Sequence, residues 1–310
     1  MRRTFSRPAG SAVFLGLAAL VAFGASLAPG DGPPSPAERR KAVLADRTKK
    51  DAEFRSAPTS PMAAADRRSV APGETAWLGT YPDVFSLGEQ APPGALFGLR
   101  FSEGRWAWTA VNGPSRPRGA TPGTRSGEIL PGQEFPVGRQ TVAAYPSPSG
   151  LVLIRFDPDR EAVTSFKGLA YFPYRPEFAV RARLVRFERP ETVTLLTSRN
   201  LRKEFFRYAE IRFLHGGKAQ RLTAFTTSPE GPGTETLFIP FRDATTGKGT
   251  YPAGRFLEVP HPAGEDLVLD FNTAFNPLCN YADTYNCPRP PEENRLDFPV
   301  RAGEKTYGAE

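Results

Sequence analysis

Between residues 178 and 226, apolar side chains recur at every second position. Val180, Ala182 and Leu184 alternate with Arg181 and Arg183, a period that sends one set toward a core and the other into water. The runs ETVTLLTS, YAEIRFLH and RLTAFTTS repeat the alternation. His215-Gly216-Gly217-Lys218 separates the last two, and paired glycines supply the positive backbone angles that a tight hairpin demands. Successive hairpins of this kind predict an antiparallel meander that curls up to hide its edges. No long amphipathic helix interrupts the pattern, which argues against a doubly wound α/β enzyme fold. The expected class is mainly β: an antiparallel β-barrel or sandwich, with a smaller N-terminal β module and an N-terminal helix.

The chain has 310 residues, enough for two domains with cores of their own. Arg2, Arg3 and Arg7 precede an apolar run from Ser11 to Leu27, followed by a Pro/Gly stretch. That order reads as a secretory signal. The run is also as long as the shortest membrane-spanning helix, so an uncleaved N-terminal anchor stays open. Residues 1–36 are therefore assigned to a signal peptide or anchor plus linker, and the protein is expected to be secreted, periplasmic or tethered to the membrane by this segment alone. The formal charge of +7 loses those three arginines on cleavage. Arg116, Arg118 and Arg125 lie among Pro and Gly without the aromatic residues that stack bases, which argues against nucleic acid as a partner.

Residues 37–75 read as a helix and connector. Ser35, Pro36 and Glu38 form a helix opening with a capping box, and the helix should run to about Arg55. Its few apolar positions, Val43, Leu44 and Phe54, predict docking along one narrow stripe. Residues 76–160 read as a small β module from the short runs TAWLGTY, ALFGLRF, RWAWTAV, QTVAAY and LVLIRF. Trp106, Trp108 and Ala110 share one parity there and should face its core. The segment from Asn112 to Gln133, rich in Pro, Gly and Arg, reads as a loose excursion. Residues 161–306 make up the C-terminal β domain.

The last quarter of the chain carries more polar chemistry than folding requires. In Arg242-Asp243-Ala244-Thr245-Thr246-Gly247-Lys248-Gly249-Thr250-Tyr251, Asp243 either accepts amide hydrogen bonds within a turn or serves a site together with Lys248 and Tyr251. Arg255 follows Gly254, and its planar fork suits an anion; equally, it can pair with Asp243 or Asp270 and hold the C-terminal run in place. DLVLDF alternates as a strand, and Asn272 stands at its end, where functional side chains tend to lie. Asn276 opens a turn, and Asn294 lies further along. Cys279 and Cys287 are the only cysteines, and in an exported chain a disulfide between them is the default. Closing so short a loop would contribute about 2.5 kcal/mol. Two thiols without nearby histidines leave zinc short of ligands, so no metal is expected. Nucleophile elbow, phosphate loop, dinucleotide fingerprint and zinc-protease motifs are all missing, and no cofactor is implied.

The segments FKGLAYFP, PFRDATTGKGTYPAGRFLE, LDFNTAFNPLCNYADTYNCPRPPEENRL and RAGEK resemble the bacterial and archaeal family known as domain of unknown function 1684. The resemblance is firm from about Ser165 to Lys305 and thins over Trp77 to Asp157. This chain differs from the family pattern at Phe275, where tyrosine is expected, at Pro252 and at Thr273. The resemblance implies boundaries and candidate residues but no reaction. From the residues, the expected function is binding of a small polar or anionic ligand by Asp243, Lys248, Tyr251, Arg255, Asp270, Asn272, Asn276 and Asn294. One alternative is a hydrolase-like enzyme using Asp243 or Asp270 with Arg255; another is a structural envelope protein. The sequence leaves oligomeric state open.

Overall fold

The computed structural model describes residues 34–147, 149–231 and 236–308. The signal or anchor segment read from the sequence lies outside the described residues apart from its last three positions. The chain divides into two compact units, residues 56–165 and residues 34–55 joined with 166–308.

The first unit contains β1 (Ala64–Val70), β2 (Thr75–Gly79), β3 (Phe85–Leu87), β4 (Ala95–Ser102), β5 (Arg105–Ala110), β6 (Ser126–Glu128), β7 (Gln133–Val137), β8 (Gln140–Ser147) and β9 (Gly150–Phe156). They form two antiparallel sheets, ordered β1-β9-β8-β7 and β3-β2-β4-β5-β6. Both sheets supply one core, with Leu78, Phe97 and Trp108 from one and Phe135, Val142 and Leu153 from the other. Trp106, Trp108 and Ala110 are buried as their shared parity requires. The excursion 112–133 is not wholly loose, since β6 adds an edge strand against β5; three residues are too few to show a period.

The second unit opens with α1 (Pro36–Ser56). Its capping box is formed: the Ser35 amide donates to Glu38 Oε2 at 2.7 Å, and the Glu38 amide donates to Ser35 Oγ at 3.3 Å. Val43 and Phe54 are buried, while Leu44 stays exposed. Burying each of the two contributes roughly 1.5–3 kcal/mol. Asp51 accepts the Leu169 amide at 2.8 Å, and Arg55 donates to the Phe166 carbonyl at 3.1 Å, which fastens the helix to the segment entering the barrel.

Six antiparallel strands follow: β10 (Ala179–Leu196), β11 (Arg202–His215), β12 (Lys218–Thr226), β13 (Thr236–Phe241), β14 (Arg255–Pro260) and β15 (Asp266–Asp270), ordered β14-β13-β12-β11-β10-β15. The runs FAVRARLVRF and ETVTLLTS belong to one strand, bent where the register with β11 shifts between Arg186 and Glu191. Gly216 and Gly217 both have positive φ in the β11–β12 turn. The result is a nearly closed barrel around Leu184, Ile211, Leu222, Leu237, Ile239, Leu257 and Leu269. Its seam lies between the edge strands β14 and β15. After a 3-10 turn, the chain leaving β15 returns along β14, where Phe256 and Phe275 exchange backbone hydrogen bonds at 2.9 and 3.0 Å.

Candidate functional site

The sequence expects eight polar residues to share one hollow; the fold divides most of them between a sealed network and a seam cavity, leaves Lys248 exposed and turns Tyr251 to Cys279. Arg255 and Asp243 are in the first, 1% and 7% exposed. Arg255 Nη2 donates to Asp243 Oδ2 at 2.9 Å and to the Val300 carbonyl at 2.8 Å, while Nη1 donates to the carbonyls of Ala302 and Glu304. Asp243 Oδ1 accepts from the amides of Thr245 and Val300 and from the Thr245 hydroxyl. A guanidinium spent on a carboxylate and three carbonyls has no fork left for an external anion. Arg255 is thus the staple of the C-terminal strap, residues 300–304, and not an anion anchor.

Asn294 is fully buried and bonds the backbone of Thr223 and the Pro240 carbonyl, tying two strands to the strap's approach. The Asn276 amide donates to Glu304 Oε2 at 2.7 Å, and its Nδ2 donates to the Lys305 carbonyl at 2.7 Å. Glu304 is 1% exposed and also accepts from Tyr281 OH at 2.8 Å and from Lys50 Nζ on α1. Burial and the nearby Glu304 charge both push the Tyr281 hydroxyl well above its usual range. Gly303 makes this crossing possible: its φ is +75°, and a Cβ there would sit 2.5 Å from the Ala274 carbonyl. Lys248 is exposed on its turn, and Tyr251 donates to the Cys279 carbonyl at 3.4 Å.

Asp270 and Asn272 belong to the second group. They line a cavity of about 340 Å³ along the barrel seam, within the size range of small-molecule sites. From β14 the wall receives Phe256 and Glu258, from β13 Phe238, and from β15 Val268; α1 contributes Val43 and Phe54 above them. Phe256 packs edge-on against Phe238 at 4.8 Å and against Phe275 at 5.9 Å, so the wall is a herringbone of aromatic rings.

Charged groups of both signs border this apolar surface. Arg47 donates to the carbonyls of Phe172 and Asn272 and lies 4.6 Å over the Tyr171 ring. Asp270 accepts from the Asn272 amide and Nδ2, at 2.9 and 2.8 Å; burial raises its carboxyl, and those two bonds oppose the rise. Glu258 remains accessible to water, yet the concave wall around it raises its carboxyl, with Lys50 pulling the other way. Burial lowers Lys203 to about 8.

Residues 164–305 match the model of a family described as a protein of unknown function, DUF1684. The chain belongs to the DUF1684 family. An uncharacterised protein of Haloarcula marismortui, solved by solution NMR, is 38% identical over 50% of this chain and 85% of its own, with a TM-score of 0.42. No curated protein matches the chain.

The DUF1684 region holds the whole staple formed by Asp243 and Arg255 with the carbonyls of the strap, whereas the cavity takes part of its wall from α1, which lies before the matched residues. Cys279 and Cys287, expected as a disulfide, are free thiols. The Cys279 amide donates to Cys287 Sγ at 3.4 Å, and Tyr251 OH donates to Cys279 Sγ at 3.5 Å. Cys279 is lowered to about 7, chiefly by the hydrogen bond from Cys287, whose own thiol is raised by that bond and by burial. Among the described residues, no group of three or more His, Cys, Asp or Glu is placed to hold a metal ion, and no helix is long and apolar enough to cross a membrane.

Glu258, Glu304 and Lys203 have no role in the sequence reading, and the docking stripe read at Val43 and Phe54 gives no sign of a cavity wall. Glu258 occupies an outward position on an alternating strand, which looks like a solvated charge. Glu304 was visible in the RAGEK motif, but nothing local says that a strap will bury it.

Proposed function

We propose that this is an exported binding protein whose ligand, a small molecule with an apolar body and a polar end, occupies the seam cavity. The cavity itself carries the reading: about 340 Å³ bounded by Phe238, Phe256, Phe275 and Val268, with Asp270, Asn272, Glu258 and Lys203 at its border. An apolar hollow with a few polar groups at its border is the usual form of such a site. The expectation of a polar or anionic ligand shifts accordingly toward an amphipathic one. Export rests on the arginine-led apolar segment at the N-terminus, and it would carry Cys279 and Cys287 into a compartment where bridging is favoured. The hydrolase alternative named Asp243 or Asp270 with Arg255; Asp243 and Arg255 are closed to water and bonded to each other, while Asp270 borders the cavity without that arginine.

Isothermal titration of octanol, an apolar chain with a neutral polar end, tests the cavity. Wild-type protein should bind with a negative heat-capacity change, and Val268→Trp, which fills the wall, should not. Equal binding by the two proteins, or none by wild type at a concentration near octanol's solubility, would contradict the reading.

A further inference from the structure

Asp46, Glu258, Asp270 and Glu304 line the cavity, and Glu258 differs from Glu304 and Asp270 in what it touches. Glu304 is saturated by Lys50, Asn276 and Tyr281, and Asp270 is held by Asn272. Glu258 makes no hydrogen bond or ion pair with the described residues, and it faces the cavity.

Its neighbours are aromatic. On β14, Phe256 lies two positions earlier and so on the same face, and on β13 Phe238 stands directly opposite in the register. Directly opposed antiparallel residues hold their Cβ atoms about 5 Å apart, which makes Glu258 a same-face neighbour of two phenylalanines. A carboxylate next to phenylalanine rings is the arrangement that recognises organic ammonium groups, because the ring quadrupole and the negative charge attract the same cation. The wall already accepts one: Lys50 Nζ lies 5.1 Å over Phe275 and 5.5 Å over Phe54.

Four cations line the same cavity, Arg39, Arg47 and Lys50 of α1 and Lys203 of β11, and Lys50 acts on the Glu258 charge. Lys50 of α1 is committed to Glu304, which offsets its charge at short range. Lys203 of β11 borders the same cavity with its ammonium 5.6 Å from the Phe205 ring.

We infer that the seam cavity selects a ligand with an ammonium head, primary or quaternary, seated between Glu258, Phe238 and Phe256, and with its apolar body along the remaining wall. This rests on the cavity being a binding site. It adds the sign of the head group.

The test compares three probes of equal chain length, octyltrimethylammonium, octanol and octanoate, by isothermal titration into full-length wild-type protein and Glu258→Gln. The ammonium should bind wild type about tenfold more tightly than octanol, a difference of about 1.4 kcal/mol, and octanoate should bind most weakly. Glu258→Gln should erase the preference for the ammonium and leave octanol unchanged. Binding of octanol or octanoate at equal or greater strength than the ammonium would overturn the head-group assignment while leaving the cavity reading standing. So would an ammonium affinity that ignores Glu258→Gln. Failure of all three probes would overturn both.

Discussion

Arg255 Nη2 lies 2.9 Å from Asp243 Oδ2, and both side chains are shut away from solvent. The pair sits beneath the strap at residues 300–304, and three strap carbonyls accept from the two Nη atoms, leaving Nε buried without a partner. What looks in the sequence like an anion-binding arginine is a fastening for the last segment of the fold.

Arg255→Met should therefore cost about 3–5 kcal/mol, because it leaves Asp243 as an uncompensated buried charge and strips donors from the strap. Urea denaturation measures it. A loss below about 1 kcal/mol would show that the pair adds nothing beyond an exposed salt bridge.

Gly303→Ala should destabilise by roughly 1–3 kcal/mol, since the left-handed φ of +75° and the Ala274 carbonyl at 2.5 Å both oppose a Cβ. Thermal unfolding would register it. Wild-type stability in the variant would mean that the strap does not cross Ala274 as described.

Stability should respond to Glu258 with a definite sign. Its folded carboxyl is raised above the ordinary value, so the folded state holds the proton more tightly, and the associated stability is complete below the unfolded value and lost as pH rises through the folded one. Glu258→Gln cannot ionise. It should melt higher than wild type near pH 8 and level with it near pH 4; the opposite ordering would place a cation against Glu258.

The cysteine pair predicts a reactivity profile. With Cys279 lowered to about 7 by the bonds from Cys287 and Tyr251, alkylation of Cys279 by iodoacetamide in reduced protein should rise with a midpoint near that pH, and Tyr251→Phe should move the midpoint upward. A midpoint in the usual thiol range for both proteins would remove the hydrogen-bonded pair from the account.

Strand and turn chemistry made the barrel legible in advance. The alternation of Val180, Ala182 and Leu184 with arginine, and the two glycines after His215, are local signals, and local signals survive in a sequence. The capping box at Ser35 and Glu38 is legible for the same reason. The site was only partly so. Asp270 and Asn272, picked out because a strand visibly ends there, border the cavity, but whether Asp243 and Arg255 face a hollow or each other depends on where residues 300–304 cross, a contact 45 to 57 positions away in sequence. Glu258 and the cavity-facing side of α1 are not legible, because a charge on an alternating strand and a polar helix both look like surface until the tertiary fold wraps them around a cavity.

The most direct test is an amide chemical-shift map of the protein titrated with octyltrimethylammonium. The account predicts perturbations concentrated at Phe238, Phe256, Glu258, Val268 and the Val43–Phe54 face of α1. Shifts centred on Asp243 and the strap, or scattered without reference to the seam, would contradict it.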